Sequence, residues 1–185
     1  MSAALTREQT DLRDAVTDLM TKRSPESEVR RLMAGEPGYD SAVWAEMADM
    51  GLLGLVVPEQ FGGSGADAAD LAVVAEQTGR SLLCAPFLST AVLVPHLLLA
   101  LSDTAESADV LPRIAAGELI ATVAFAEAGS ARPPEHPATI ATETPDGWKL
   151  TGEKTYVLDG SLASRIYVQA ESGSCLLYTS DAADE

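Results

Sequence analysis

The hydrophobic period of this chain changes once, near residue 118, and that change restricts the fold more than any other feature. Up to there, apolar residues recur three and four apart. Beyond it they come in short β-prone runs separated by turn residues. Helices gathered first and strands second argue against a doubly wound sheet, in which the two alternate. The expected fold class is therefore α+β, with five or six helices over residues 1–118 and strands from residue 119 onward. No internal repeat is present.

In the helical half, Thr6 with Gln9 three residues on reads as a capping box, followed by Leu5, Leu12, Val16 and Leu19 at helical spacing. Ser24-Pro25 breaks the run and Gly35-Glu36-Pro37-Gly38 makes a loop. Asp40 or Ser41 caps a second helix with inner face Val43, Met47 and Met50, Trp44 beside it, and Gly51 at its stop. Leu52–Val57 is a short apolar stretch. Pro58 to Gly65 then turns into a long helix from about Asp67, with Leu71, Val74, Ala75, Thr78 and Leu82 facing inward. Leu88–Leu101 reads as a helix buried on most sides and kinked at Pro95. A short amphipathic piece with Val110, Leu111 and Ile114 ends at Gly117. Strands are expected over Leu119–Phe125, Thr139–Glu143, Trp148–Leu150, Lys154–Leu158 and Ile166–Ala170, with Pro145-Asp146-Gly147 as the turn between the second and third.

Charge excludes several functions. Twelve Lys+Arg against 28 Asp+Glu give a net charge of −16. Such a surface repels phosphate backbones and anionic membranes, so no nucleic acid and no membrane surface is expected as partner. Cys84 and Cys175 make neither a disulfide framework nor a CxxC zinc site. The start lacks a signal peptide's basic and apolar regions, and Leu88–Leu101 is too short to span a bilayer, so a soluble cytoplasmic protein is expected.

Most candidate motifs read as structure. Gly62-Gly63-Ser64-Gly65 fits neither GxGxxG nor a P-loop and is expected to be a tight entry turn. His96 and His136 lack ligand partners at metal spacing. Glu8, Asp11, Asp14 and Asp18 read as a solvated helix face. Ser130 follows Gly129 without the GxSxG of a nucleophile elbow. Two stretches leave a choice between core packing and ligand contact: Phe125-Ala126-Glu127-Ala128-Gly129-Ser130, and Lys154-Thr155-Tyr156-Val157-Leu158-Asp159-Gly160, whose aromatic is suited to lie against a flat ring.

Cys175–Glu185 resembles the translated read-through of a sequencing-library adapter and is set aside from fold reasoning. Without Asp181, Asp184 and Glu185 the net charge becomes −13. The natural reading frame is expected to run on past Ser174. A β segment cut there is expected to leave an unpaired edge and poor solubility.

Four segments in register resemble the acyl-CoA dehydrogenase family: Gly51–Gly65 (GLLGLVVPEQFGGSG), Glu76–Arg80, Leu111–Glu118 (LPRIAAGE) and Trp148–Lys154 (WKLTGEK). The similarity runs from about Leu5 to Ala170. It implies an N-terminal all-α helical domain over 1–118, an incomplete β-barrel-like middle domain over 119–174, and a C-terminal four-helix domain beyond. The family binds FAD between its middle and C-terminal domains and desaturates an acyl-CoA thioester. A glutamate removes the α-proton, the flavin takes the β-hydrogen as hydride, and electrons pass to an electron-transferring flavoprotein. By position, Phe125, Ala126, Glu127, Tyr156, Val157 and Leu158 would bind the cofactor, and Ser130 the substrate. Ala126 and Leu158 stand where the family usually has hydroxyl residues, and Tyr156 stands where it usually has Trp. The catalytic glutamate belongs to the C-terminal domain, so no catalytic residue is named. The Tyr-Val-Leu-Asp-Gly ending resembles actinobacterial members that act on sterol or branched acyl-CoA, some as one of two unlike subunits. The resemblance thus implies a homo- or hetero-oligomer, and leaves a non-catalytic partner subunit, or a flavin oxidase or monooxygenase, as alternatives.

Overall fold

The computed structural model describes residues 5–101, 104–145, 147–172 and 175–179. α1 (Arg7–Arg23) begins at the expected capping box: Gln9 N donates to Thr6 Oγ1 and Thr6 N to Gln9 Oε1, each at 3.1 Å. Val16, Leu19 and Met20 form its buried stripe. α2 (Glu26–Met33) was missed in the sequence: it is only eight residues long, and its apolar stripe is just Val29, Leu32 and Met33, between Pro25 and the Gly35–Gly38 loop. α3 (Ser41–Asp49) is capped by Asp40, which accepts from Ala42 N at 2.8 Å. Val43, Trp44 and Met47 are buried as expected. Met50 is exposed instead, because the helix ends before it and Gly51, at φ +75°, turns the chain away. The Trp44 indole donates to the Gly117 carbonyl at 3.1 Å, so its one polar atom is satisfied inside the core.

The buried turn Leu52–Val57 is covered by the glycine-rich hairpin. Ser64 N donates to Gly54 O at 3.0 Å, and Gly65 N to Val57 O at 2.8 Å. A Cβ on Gly63 would stand 2.1 Å from Val57 O and 2.5 Å from Gly54 O, so the contact is backbone against backbone. The hairpin is a tight entry turn, and it delivers α4 (Ala68–Arg80), capped by Asp67 with Asp70. Val73, Val74, Gln77 and Thr78 face inward. Ala75 and Leu82 do not: Ala75 lies on the outer side, and Leu82 falls past the helix end at φ +49°.

The expected single helix over Leu88–Leu101 is two pieces, a π-helical segment (Leu88–Leu93) and α5 (Val94–Leu101). Pro95 has no N–H for the carbonyl one turn back, and its ring crowds that turn. The irregularity therefore sits ahead of the proline, where Val94 N reaches Ser89 O. Leu88, Leu99 and Leu101 are exposed, so burial is one-sided. The wide turn buries three consecutive residues, Ser89, Thr90 and Ala91. α6 (Thr104–Ala115) places Val110, Leu111 and Ile114 in a second core with Val57, Val94, Leu98, Leu119, Ala121 and Tyr167.

β1 (Ala121–Ala124) runs parallel to β4 (Arg165–Ser172). β2 (Ile140–Thr144) pairs antiparallel with β3 (Gly147–Thr151) and meets β4 at Ile140 opposite Glu171. The order β1-β4-β2-β3 is mixed and, among the described residues, not closed. Arg165 ties β4 to α6, lying 3.1 Å from both Glu106 and Asp109, and Tyr167 donates to Glu106 at 2.6 Å. Burial and that Glu106 bond push the Tyr167 phenol up, which keeps it a donor.

One expectation is corrected here. Lys154–Leu158 is not a strand: Tyr156 and Asp159 adopt left-handed φ of +53° and +52°, which breaks any ladder. Cys175–Thr179, set aside as a tail, forms β5, antiparallel to β4 with Val168 opposite Thr179. The bare backbone groups of a sheet edge accept any β-prone run, and Leu-Leu-Tyr-Thr is one. Asp146 of the expected turn, Ser174 and residues 180–185 lie outside the described residues.

Gly63→Ala is expected to lower unfolding free energy by ~3 kcal/mol or more, because carbonyl oxygens must move. Gly79→Ala, with nothing within 4 Å of its Cβ, is expected to raise it by up to about 1 kcal/mol. Denaturant melts of the two variants check the contrast.

Candidate functional site

Past β1 the chain runs through Phe125, Ala126 and Glu127, and a hydrogen bond network binds this stretch to the loop after β3. Glu127 is the centre. Its Oε1 accepts from Lys154 Nζ at 2.7 Å, Thr139 Oγ1 at 2.7 Å and Thr139 N at 2.9 Å; its Oε2 accepts from Ala138 N at 2.7 Å. Lys154 and Glu127 side chains are only 8% and 16% exposed. Burial alone would raise the Glu127 carboxyl; the Lys154 bond and the amide and hydroxyl donors outweigh it and hold the group lowered to about 2. Lys154 Nζ also reaches Phe125 O at 3.4 Å, and Thr155 N donates to Ala126 O at 2.9 Å. Gly152 permits this docking, since a Cβ there would stand 2.6 Å from Thr139 Cα.

The network brings together the two stretches that the sequence singled out. Ala126 is buried, and Phe125 and Val157 are half-buried. Tyr156 is 76% exposed and Leu158 is 48% exposed. A tyrosine in the left-handed region costs of order 1 kcal/mol, and nothing in its own burial compensates. The loop is held from behind: Thr122 Oγ1 donates to Leu158 O at 2.6 Å, and Ser89 Oγ to Asp159 Oδ2 at 2.6 Å. Ser130 lies apart from this cluster, exposed on a turn closed by its N–H to Glu127 O at 3.1 Å. Its hydroxyl accepts from Arg132 N at 3.0 Å. Thr155 Oγ1 and Gln169 Oε1 are enclosed without a hydrogen bond partner among the described residues.

Thr139, Thr122 and Ser89 carry the architecture from outside the two stretches, and Lys154 and Asp159 do so from within one of them without having been given a site role. Only the Lys154 charge close before an aromatic was a visible signal; the others act across 12 to 70 residues of sequence. The acidic face Glu8, Asp11, Asp14 and Asp18 is exposed. Among the described residues no group of three His, Cys, Asp or Glu is placed to hold a metal, and no helix is long and apolar enough to cross a membrane. An apolar cleft of about 410 Å³ lies elsewhere, between α4 and the far side of the π-helical segment, lined by Leu71, Ala75, Leu82, Phe87, Leu88 and Val92.

Residues 6–118 match the family model described as acyl-CoA dehydrogenase, N-terminal domain. The chain belongs to the acyl-CoA dehydrogenase family. It is 37% identical over 122 residues to acyl-CoA dehydrogenase IpdE2 of Mycolicibacterium smegmatis, covering 65% of this chain and 38% of that one. It is 32% identical over 136 residues to (2S)-methylsuccinyl-CoA dehydrogenase of Cereibacter sphaeroides, covering 73% and 24%. Among solved structures, a variant of the Tcur3481-Tcur3483 steroid ACAD aligns at TM-score 0.83 and 31% identity over 95% of this chain and 48% of that chain. The ChsE4-ChsE5 complex from Mycobacterium tuberculosis aligns at TM-score 0.86 and 25% identity over 100% and 50%. The chain thus spans about half the length of these solved relatives and less of the curated ones.

The Glu127 clamp has a pH signature. Its carboxyl sits below the ordinary 4.5, so its contribution is complete above 4.5 and drains away as pH falls through about 2. At neutral pH it is of order 3 kcal/mol. Glu127→Gln is expected to lose roughly that amount at pH 7 and to flatten the acid limb. Unfolding titrations at pH 7 and pH 3 check both.

Proposed function

We propose that this chain contributes the helical layer and one wall of the flavin site of an FAD-dependent acyl-CoA dehydrogenase, which desaturates an acyl-CoA thioester between its α and β carbons. On this reading residues 6–118 form the N-terminal helical domain and 119–174 begin the middle β domain. The observation that carries it is the loop Tyr156–Leu158, an exposed left-handed tyrosine followed by an exposed leucine, docked beside the end of β1 in a chain of this family. Strain kept at an exposed position needs a reason outside folding, and a ring platform supplies one.

The residues fit a flat apolar ring. Tyr156 offers a face and Leu158 an aliphatic edge. Ala126 and Leu158 have no hydroxyl, and Glu127 is consumed by its partners within the chain, so its role is to hold the strand end against the loop. FAD, when bound, supplies the hydride acceptor. The chain's own contribution is to position the ring and keep water from one side of it. On this reading Ser130, exposed on its turn, would contact the thioester. The acceptor of the electrons on this reading is an electron-transferring flavoprotein.

The missing hydroxyls at Ala126 and Leu158 favour a second reading, a partner subunit that completes a heteromeric dehydrogenase without turning over alone. The structural relatives include the ChsE4-ChsE5 complex, which supports weighing it. Expressing the intact gene alone and with an adjacent homologue separates the readings. Dye reduction with acyl-CoA by the single product supports the first; activity only in the mixture supports the second. No bound flavin in either preparation defeats both.

Tyr156→Gly is expected to weaken FAD binding about tenfold while holding or raising the melting temperature, since it removes a ring contact and relieves a left-handed tyrosine. Flavin fluorescence titration and thermal melts of the intact protein read the two effects separately.

A further inference from the structure

Two buried hydroxyls and the loop's own Asp159 tie residues 156–160 to the rest of the molecule. Thr122 is fully buried on β1, and its hydroxyl holds the Leu158 carbonyl at 2.6 Å. Ser89 is fully buried on the π-helical segment, and its hydroxyl holds the Asp159 carboxylate at 2.6 Å. Asp159 itself, at φ +52°, takes Leu162 N and Ala163 N on its carbonyl at 3.0 and 3.1 Å. Ser89 also donates within hydrogen bond range of Pro86 O, at 3.2 Å, so its hydroxyl is shared between its own helix and the loop.

We propose that Thr122 and the Ser89–Asp159 pair are positioning residues that set the pose of the Tyr156–Leu158 platform, by fixing two successive carbonyl and carboxylate acceptors of a strained loop to two different layers. The role in ring binding rests on the flavin reading; the latch itself does not. The physical argument is one of geometry and strain. A left-handed tyrosine relaxes toward the ordinary β or α region unless its neighbours are over-determined. Two short bonds to fully buried hydroxyls, one from the sheet and one from the helices, over-determine them. They also consume the Leu158 carbonyl, leaving that residue only its aliphatic side chain and amide to present outward. A buried hydroxyl that loses its acceptor is left unsatisfied, so each bond resists opening more than an exposed one would. Ser89 lies on the π-helical segment, so the second bond reaches the loop from the helical layer.

The test uses the intact protein with Thr122→Val, which keeps shape and removes the donor, Thr122→Ser, which keeps the donor, and Ser89→Ala, which acts from the other layer without touching β1. Amide hydrogen exchange at Gly160, Leu162 and Ala163, measured without flavin, reads the latch. Thr122→Val and Ser89→Ala are each expected to speed exchange there about tenfold. Thr122→Ser is expected to restore the wild-type rate, and amides of α1 to be unchanged in all three. Unchanged exchange in both Thr122→Val and Ser89→Ala overturns the proposal, as does equal acceleration throughout the molecule. FAD titration with the near-ultraviolet dichroism of the bound flavin reads the second half. A weaker affinity and an altered dichroic band in Thr122→Val, both recovered in Thr122→Ser, support positioning of the ring. Altered exchange with unaltered affinity and band overturns that half. A wild type that binds no FAD defeats the flavin reading alone, and the exchange result still decides the latch.

Discussion

Thr90 Oγ1 donates to the Ala121 carbonyl at 2.8 Å and accepts the Ala121 amide at 3.2 Å, so one fully buried hydroxyl satisfies both backbone groups of the first residue of the sheet. The rest of the architecture is referred to this point. β1 begins where Thr90 places it. β4 takes its parallel register from β1, starting with Ala121 opposite Arg165, and Tyr167 on β4 closes the core beneath α6. Ser89, one residue earlier, and Thr122, one residue later, extend the same seam to the loop. A neutral hydroxyl is well suited to such a joint. It serves as donor and acceptor at once, and it carries no charge to desolvate when the two layers close.

The seam and the Glu127 clamp divide the labour. The hydroxyls fix where the loop sits relative to the helices. The carboxylate, with a lysine and two backbone amides around it, fixes the strand end against the same loop from the sheet side. Three of its four acceptor bonds come from groups of the buried Thr139 and the nearly buried Lys154, which would otherwise be stranded. Removing the carboxylate therefore leaves several unsatisfied donors at once. This is how a chain with few aromatics holds Tyr156 outward and left-handed: the support comes from polar contacts behind the residue, not from packing around it.

Local signals were legible wherever a few neighbouring residues decide the outcome. The Thr6–Gln9 box, the Asp40 and Asp67 caps, and the hairpin over Gly63 all follow from residue types at short spacing, and they appear where the sequence places them. Signals failed where one residue imposes on another at a distance. The break at Pro95 was expected, but the wide π turn it imposes ahead of itself was not, since the periodicity of Leu88–Leu101 conceals it. α2 is two turns long, too short for its stripe of Val29, Leu32 and Met33 to stand out between two loops. The stretch Lys154–Leu158 alternates like a strand, yet Thr122, Ser89 and Gly152 bend it into a loop through contacts that no local window contains. Of the candidate site, the two stretches were readable and their juxtaposition was not, because it depends on Glu127 reaching Thr139 and Lys154 across 12 and 27 residues.

β4 accepts Cys175–Thr179, the segment set aside from fold reasoning, along five paired positions from Val168 to Ser172. Backbone ladders recognise extension and not identity. The outer border of β4 thus behaves as a socket. A linker or purification handle fused directly after Ser172 would anneal there, shielded from protease and resin alike, unless a proline is placed among its first residues to refuse the pairing.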